Sequence, residues 1–147
     1  MSLKTLKDVS YFKLNNEINR PVNGQIPLNK DQEALEAFFR ENVEPNTMKF
    51  DSAIDKMNYL VENEFLDETF IQKYTPEFLE EFYAFLDNQN FRFHSFMAAY
   101  KFYSQYALKT NDGSQYLERF EDRVAINALY FADGDEQLAL DLADEMI

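Results

Sequence analysis

Thr75-Pro76-Glu77-Phe78-Leu79-Glu80-Glu81-Phe82-Tyr83-Ala84-Phe85-Leu86 is the stretch that decides the fold class. A threonine hydroxyl can accept from the free N–H groups of a helix start. Proline suits the first turn, and an early glutamate complements the positive helix end. From that start Phe78, Leu79, Phe82, Tyr83 and Leu86 recur at helical spacing and make one apolar face.

The same grammar extends in both directions. On the C-terminal side, Ser95 is expected to open a helix carrying Phe96, Met97, Tyr100, Tyr103 and Ala107. Asn111-Asp112-Gly113 reads as a turn, and Ser114 as the cap of a helix with Leu117, Phe120, Val124, Ala128 and Phe131. Asp133-Gly134-Asp135 breaks the pattern before a last helix with Leu138, Leu142 and Met146. On the N-terminal side, Asn29 with Gln32 reads as a cap for a helix with Ala34, Leu35, Phe38 and Phe39, which Pro45-Asn46-Thr47 ends. Asp51 or Ser52 caps a stripe of Ile54, Met57, Leu60 and Val61, and a short helical piece follows around Phe70 and Ile71. The expectation is an all-α chain, with six to seven helices in a bundle or array over residues 29–147. Tyr100, Phe120, Val124 and Leu142 are expected in its core. Residues 1–28 read as a short irregular arm: Val9–Leu14 extended, then a turn at Asn23-Gly24 that suits a small hairpin.

Composition narrows the function. The chain has 147 residues, the size of one domain, and 15 Phe and 9 Tyr supply much of its apolar material. Only 3 Gly and 4 Pro occur, fewer than a turn-rich β protein needs. The net charge of −13 repels phosphate backbones and anionic membrane surfaces, which argues against nucleic-acid or membrane partners. From Asn111 onward there are ten acids and two bases, a net of −8. That is either a solvated helix face or an acidic contact surface. With 0 Cys there is no disulfide, thiolate metal site or cysteine nucleophile. Met1-Ser2-Leu3-Lys4 lacks the apolar stretch of a signal peptide, so the expected location is cytoplasmic.

No catalytic constellation emerges. His94 is the sole histidine and reads as a helix-start residue. Position 91 is Phe, so the Glu-x-x-His of helical di-iron proteins is missing. The two Asp-Gly turns fail as calcium loops, because Leu108 and Leu129 fall where the first chelating acid belongs. Isolated glycines cannot make a phosphate loop. One cluster stands apart: Arg119, Glu121, Asp122 and Arg123 lie within about one helical turn. It reads either as a salt-bridge network or as a contact for an anion or nucleotide.

Longer strings carry a resemblance. Phe91-Arg92-Phe93, Ser95-Phe96-Met97, Lys101-Phe102-Tyr103 and Tyr106–Asn111 resemble the large subunit of class Ib ribonucleotide reductases. So do Leu117–Arg123, Ala128–Asp135, Asp144–Ile147 and Leu14–Ile18, so that the similarity spans nearly the whole chain. The resemblance implies the helical N-terminal region of a much longer subunit. That subunit reduces ribonucleoside diphosphates by thiyl-radical chemistry in a ten-stranded α/β barrel, which this chain lacks. It further implies a homodimer, nucleotide effectors, a thiol reductant and a separate small subunit whose dimetal centre supplies the radical. No catalytic residue is carried over. Arg119 and Glu121 sit where the resemblance places regulatory nucleotide contacts. The other functional class open to the sequence is a free-standing acidic helical adaptor or inhibitor. Against it, the last helix stops on Met146-Ile147 in mid-pattern, which predicts that further polypeptide packs there.

Overall fold

A computed structural model describes Tyr11, Lys13, Leu14 and residues 28–147. Among these residues there is no strand, only two isolated bridges, Thr47 to Tyr116 and Lys109 to Tyr116. From residue 28 on, seven helical segments follow in order: α1 (Leu28–Phe38, continued through Phe39–Val43 and Glu44–Asn46), α2 (Ala53–Glu62), α3 (Glu68–Ile71), α4 (Pro76–Asn88), α5 (Phe96–Lys101, continued through Phe102–Tyr106), α6 (Phe120–Ala132) and α7 (Glu136–Met146). They divide into two compact units, one of Met1–Thr47 with Arg92–Leu117, the other of Met48–Phe91 with Glu118–Ile147.

The first unit is built on aromatic rings. Phe38 of α1 meets Phe96, Tyr100 and Tyr103 of the α5 segment at centroid distances of 5.7, 5.8 and 6.1 Å, edge to face, and Tyr11 joins at 5.0 Å. Such T-shaped contacts suit the ring quadrupoles. Both of its helices end in a π turn, Phe39–Val43 and Phe102–Tyr106. The first has a readable cause. Proline cannot donate to the carbonyl four residues back, and its ring would clash there. The π turn moves the pairing ahead of Pro45: the Glu44 N–H donates to Phe39 C=O, and Pro45 enters as the second residue of a fresh turn. Thr47 Oγ1 and Asn46 Nδ2 then donate to Val43 and Asn42 carbonyls at 2.5 and 2.7 Å and close the helix. In the 107–117 loop, Asp112 accepts from the Thr110 and Ser114 hydroxyls and the Ser114 N–H. Those donors, the Thr110 hydroxyl foremost, hold its carboxyl down to about 2.

The second unit packs α2, α3, α4, α6 and α7 around Met57, Phe82, Leu86, Ala128, Leu129 and Ala143. Its helices start where local chemistry supplies an acceptor. Ser52, Asp67, Thr75 and Asp135 accept from Asp55, Thr69, Phe78 and Leu138 N–H groups at 3.1, 2.9, 3.1 and 3.0 Å. The α6–α7 hairpin turns at Asp133 and Gly134, both with positive φ (50° and 95°). Tyr74 pins that turn. Its hydroxyl donates to Leu129 C=O at 2.7 Å and accepts from Gly134 N–H at 3.0 Å, so one buried side chain satisfies a late carbonyl of α6 and the turn amide.

Several sequence expectations need correction. Tyr11, Lys13 and Leu14 are helical, not extended, and Tyr11 is buried; the hairpin expected near Asn23-Gly24 lies outside the described residues. α1 begins at Leu28, so Asn29 lies inside its first turn instead of capping it. Ser114 caps no helix: it serves the Asp112 turn, and α6 starts six residues later with Arg119 as its cap residue. Of the four residues expected in the core, Val124 is buried while Tyr100, Phe120 and Leu142 are half-buried. Phe131 and Met97 are exposed at 68% and 53%. In α7 the inward residues are Ala139 and Ala143, with Leu138 and Met146 outside. Small residues win there because α6 supplies Ala125, Ala128 and Ala132, and alanine-lined helices can approach closely.

Tyr74→Phe keeps the ring and removes the latch. Leaving a buried carbonyl and amide without their partner should cost about 1–3 kcal/mol, read as a lowered urea midpoint at unchanged slope. An unchanged midpoint would show that the hydroxyl contributes nothing to the hairpin.

Candidate functional site

The residues singled out at 119–123 stand at the start of α6, in the second unit, and the structure gathers other charges around them. Asp122, the third residue of α6, has only 3% of its side chain exposed. Its Oδ2 accepts from the Arg119 backbone N–H at 2.8 Å, which ties the carboxylate back across the helix start. Lys56 Nζ, from α2, donates to the same oxygen. Arg119 Nη2 bridges two helices, donating to Asp87 Oδ1 of α4 at 2.8 Å and to Asp122 Oδ1 at 3.3 Å. Next to this hub, Glu118 is equally buried and takes the Arg123 guanidinium, with Nε at 2.8 Å from Oε1.

The electrostatics follow from this packing. Burial pushes the Asp122 carboxyl up, but the charges of Lys56 and Arg119, together with the hydrogen bonds that both donate, outweigh it. The net direction is down, so Asp122 is an anion at neutral pH. For Arg119, burial works against the cation, while Asp122 and Asp87 more than restore it. Glu121 goes the other way: burial raises its carboxyl, and Arg119 offsets only part of the rise. Tyr83 is buried, and that burial, followed by the fields of Asp122 and Glu118, lifts its hydroxyl well above the ordinary tyrosine range. Phe120, the first residue of α6, stacks on Phe91 at 4.4 Å.

The structure therefore joins Arg119 and Asp122 and separates the other two. Arg119 and Arg123 do not act as a common anion clamp, since each is turned to its own carboxylates. Glu121 feels Arg119 through space. The sequence reading missed Lys56 and Asp87, whose distance along the chain gives no signal, Glu118, which stands one residue before the cluster, and Tyr83, which reads as plain core. Among the described residues, no group of three or more His, Asp or Glu side chains could hold a metal ion. No helix among them is long and apolar enough to cross a membrane. What the arrangement can do is fix the start of α6 against α2 through the buried Lys56–Asp122 pair and against α4 through the more exposed Arg119–Asp87 pair.

Comparison with known proteins places this helical chain. Residues 11–91 match the family model described as "Ribonucleotide reductase N-terminal", and residues 92–147 match "Ribonucleotide reductase, all-alpha domain". The chain belongs to the ribonucleotide reductase family. It is 44% identical over 138 residues to the ribonucleoside-diphosphate reductase NrdEB subunit alpha of Bacillus subtilis (strain 168), covering 94% of this chain and 13% of that protein. A second alpha subunit of the same organism is 42% identical over 137 residues, covering 93% of this chain and 20% of the relative. The alpha subunit of Mycoplasma pneumoniae is 43% identical over 117 residues, covering 80% and 16%. The chain thus spans about a fifth or less of these relatives and corresponds to the N-terminal region of the reductase large subunit. The reductase reading is favoured over the free-standing adaptor. The family boundary at 91/92 is also where the chain passes from the second unit back to the first.

Asp122 gives a pH signature. A carboxyl held below its ordinary value stabilises the fold fully above the usual carboxylate pKa of about 3.9, and that contribution fades as pH falls through the lower folded value. Asp122→Asn should cost about 3 kcal/mol at pH 7. The gap between wild type and variant should be flat above about pH 4 and narrow below it. Urea titrations from pH 7 to pH 2 measure this; a gap that does not depend on pH would remove the charge from the account.

Proposed function

We propose that this chain is the helical N-terminal module of a ribonucleoside-diphosphate reductase large subunit, a structural and regulatory support with no reducing chemistry of its own. The observation that carries the proposal is the alignment over 94% of the chain with a protein named as a reductase alpha subunit. The chain's 0 Cys supports the division of labour, since a thiyl-radical reduction needs thiols from elsewhere in the polypeptide. In this proposal the complete subunit supplies the cysteine-bearing barrel and forms a homodimer. It takes a radical from a small dimetal subunit, draws electrons from a thiol reductant, responds to nucleotide effectors and works in the cytoplasm. The module's part is mechanical: a charge-pinned set of helices that presents fixed surfaces to what packs on it.

The regulatory part centres on Arg119 and Glu121. Arg119 keeps 43% of its side chain exposed while its inner edge is held by Asp87 and Asp122, and that leaves an outer edge for an anion. The arrangement suits a phosphate group approaching from solvent. Titration of the chain with ATP tests it: saturable binding that Arg119→Ala abolishes is the expected result, and absence of binding to wild type ends this part of the proposal.

Mixed with the small subunit and a thiol reductant, the isolated 147-residue chain should form no deoxynucleotide from ribonucleoside diphosphates above a no-protein control. The complete large subunit should turn over in the same assay. Product from the isolated chain would overturn the proposal, as would an inactive complete subunit.

A further inference from the structure

The α6–α7 hairpin carries apolar surface that its own unit does not cover. Tyr130 and Phe131, at the end of α6, are 61% and 68% exposed, and Leu138, across the Asp133–Asp135 turn, is 41% exposed. Along α7 the spacing of four continues the stripe through half-buried Leu142 to exposed Met146. Tyr130 is braced from beneath by Phe70 at 5.8 Å and Phe131 leans on Tyr130 at 5.6 Å, so the large rings stand on a built support. Aromatic side chains presented in this way form the anchors of interfaces. Around them acids dominate; Lys73, the cation at the turn, is paired with Asp133. From Asp135 to the end of the chain there are five acids, all exposed, and no base.

That combination selects its occupant. A second copy of the chain would bring −13 against −13 and set two acidic rims face to face. A nucleic acid or anionic membrane is repelled for the same reason. The chemistry that fits is a polypeptide segment with an apolar centre ringed by lysine or arginine. The match covers 13% and 20% of two relatives and leaves most of each unaccounted for. We infer that the Tyr130–Phe131–Leu138–Met146 face is the docking surface for a basic-rimmed apolar segment of the remaining large-subunit polypeptide, an inference that rests on the reductase reading above.

Hydroxyl-radical footprinting reads side-chain exposure directly. It is applied to the 147-residue chain and to the complete large subunit, with the radical dose matched by an added reporter. Tyr130, Phe131, Leu138 and Met146 should be oxidised several-fold more slowly in the complete subunit. Equal oxidation in both overturns the inference. So does slow oxidation in the free chain that rises on dilution, since that result assigns the face to a second copy. Phe131→Glu and Leu138→Glu alter exposed positions, so they should leave the melting temperature of the free chain unchanged and lower that of the complete subunit. Asp141→Lys with Glu145→Lys should do the same through the acidic rim; no difference between the two proteins for either pair overturns the inference. Failure of the reductase reading would appear separately, as absent nucleotide reduction by a complete subunit whose footprint could still be compared.

Discussion

Asp122 is a carboxylate withdrawn from water, and a charge in that position must be answered by neighbours or it is lost. The answers are two cations, Lys56 from α2 and Arg119 at the start of α6, and the Arg119 guanidinium also reaches Asp87 of α4. On the alanine-rich face of α6, Ala125, Ala128 and Ala132 offer little relief to fix its register. The ion pairs supply what packing does not, a fixed register at one end. Tyr74 supplies it at the other, through Leu129 and Gly134. Between these two polar anchors α6 is held along its length, and α7, hung from the Gly134 turn, takes its place from them.

Much of this was legible from single residues. Ser52, Thr75 and Ser95 each precede a periodic apolar run, and each accepts the backbone N–H that its chemistry predicts. The misreadings share a cause: a local signal has more than one use. Ser114 has the hydroxyl of a cap but spends it on Asp112. Phe131 and Leu138 have the periodicity of core residues yet face outward, and alanines occupy the contact. Periodicity fixes which residues share a face but not which of two adjacent apolar stripes meets the protein, and size decides that in three dimensions. The π turns at Phe39–Val43 and Phe102–Tyr106 leave no mark on a 3.6-residue pattern. At the 119–123 cluster the sequence showed the charges, while the partners that define their role lie up to 66 residues away.

The family match adds a point that neither sequence nor coordinates give alone. Two family segments meet at 91/92, yet each compact unit draws on both: the first combines residues up to Thr47 with Arg92–Leu117, the second Met48–Phe91 with Glu118–Ile147. The sequence families are therefore not the folding units, and neither segment would hold a complete core by itself. The charge hub illustrates this, since Lys56 and Asp87 belong to one segment and Arg119 and Asp122 to the other.

The central claim is that the Lys56–Asp122 pair couples α2 to the start of α6. A double-mutant cycle in urea, with Lys56→Met, Asp122→Asn and the double variant, isolates that coupling from the other consequences of each change. The predicted coupling energy is about 0.5–3 kcal/mol, the range of residues sharing one network. A coupling below about 0.5 kcal/mol, the level of independent sites, would contradict it.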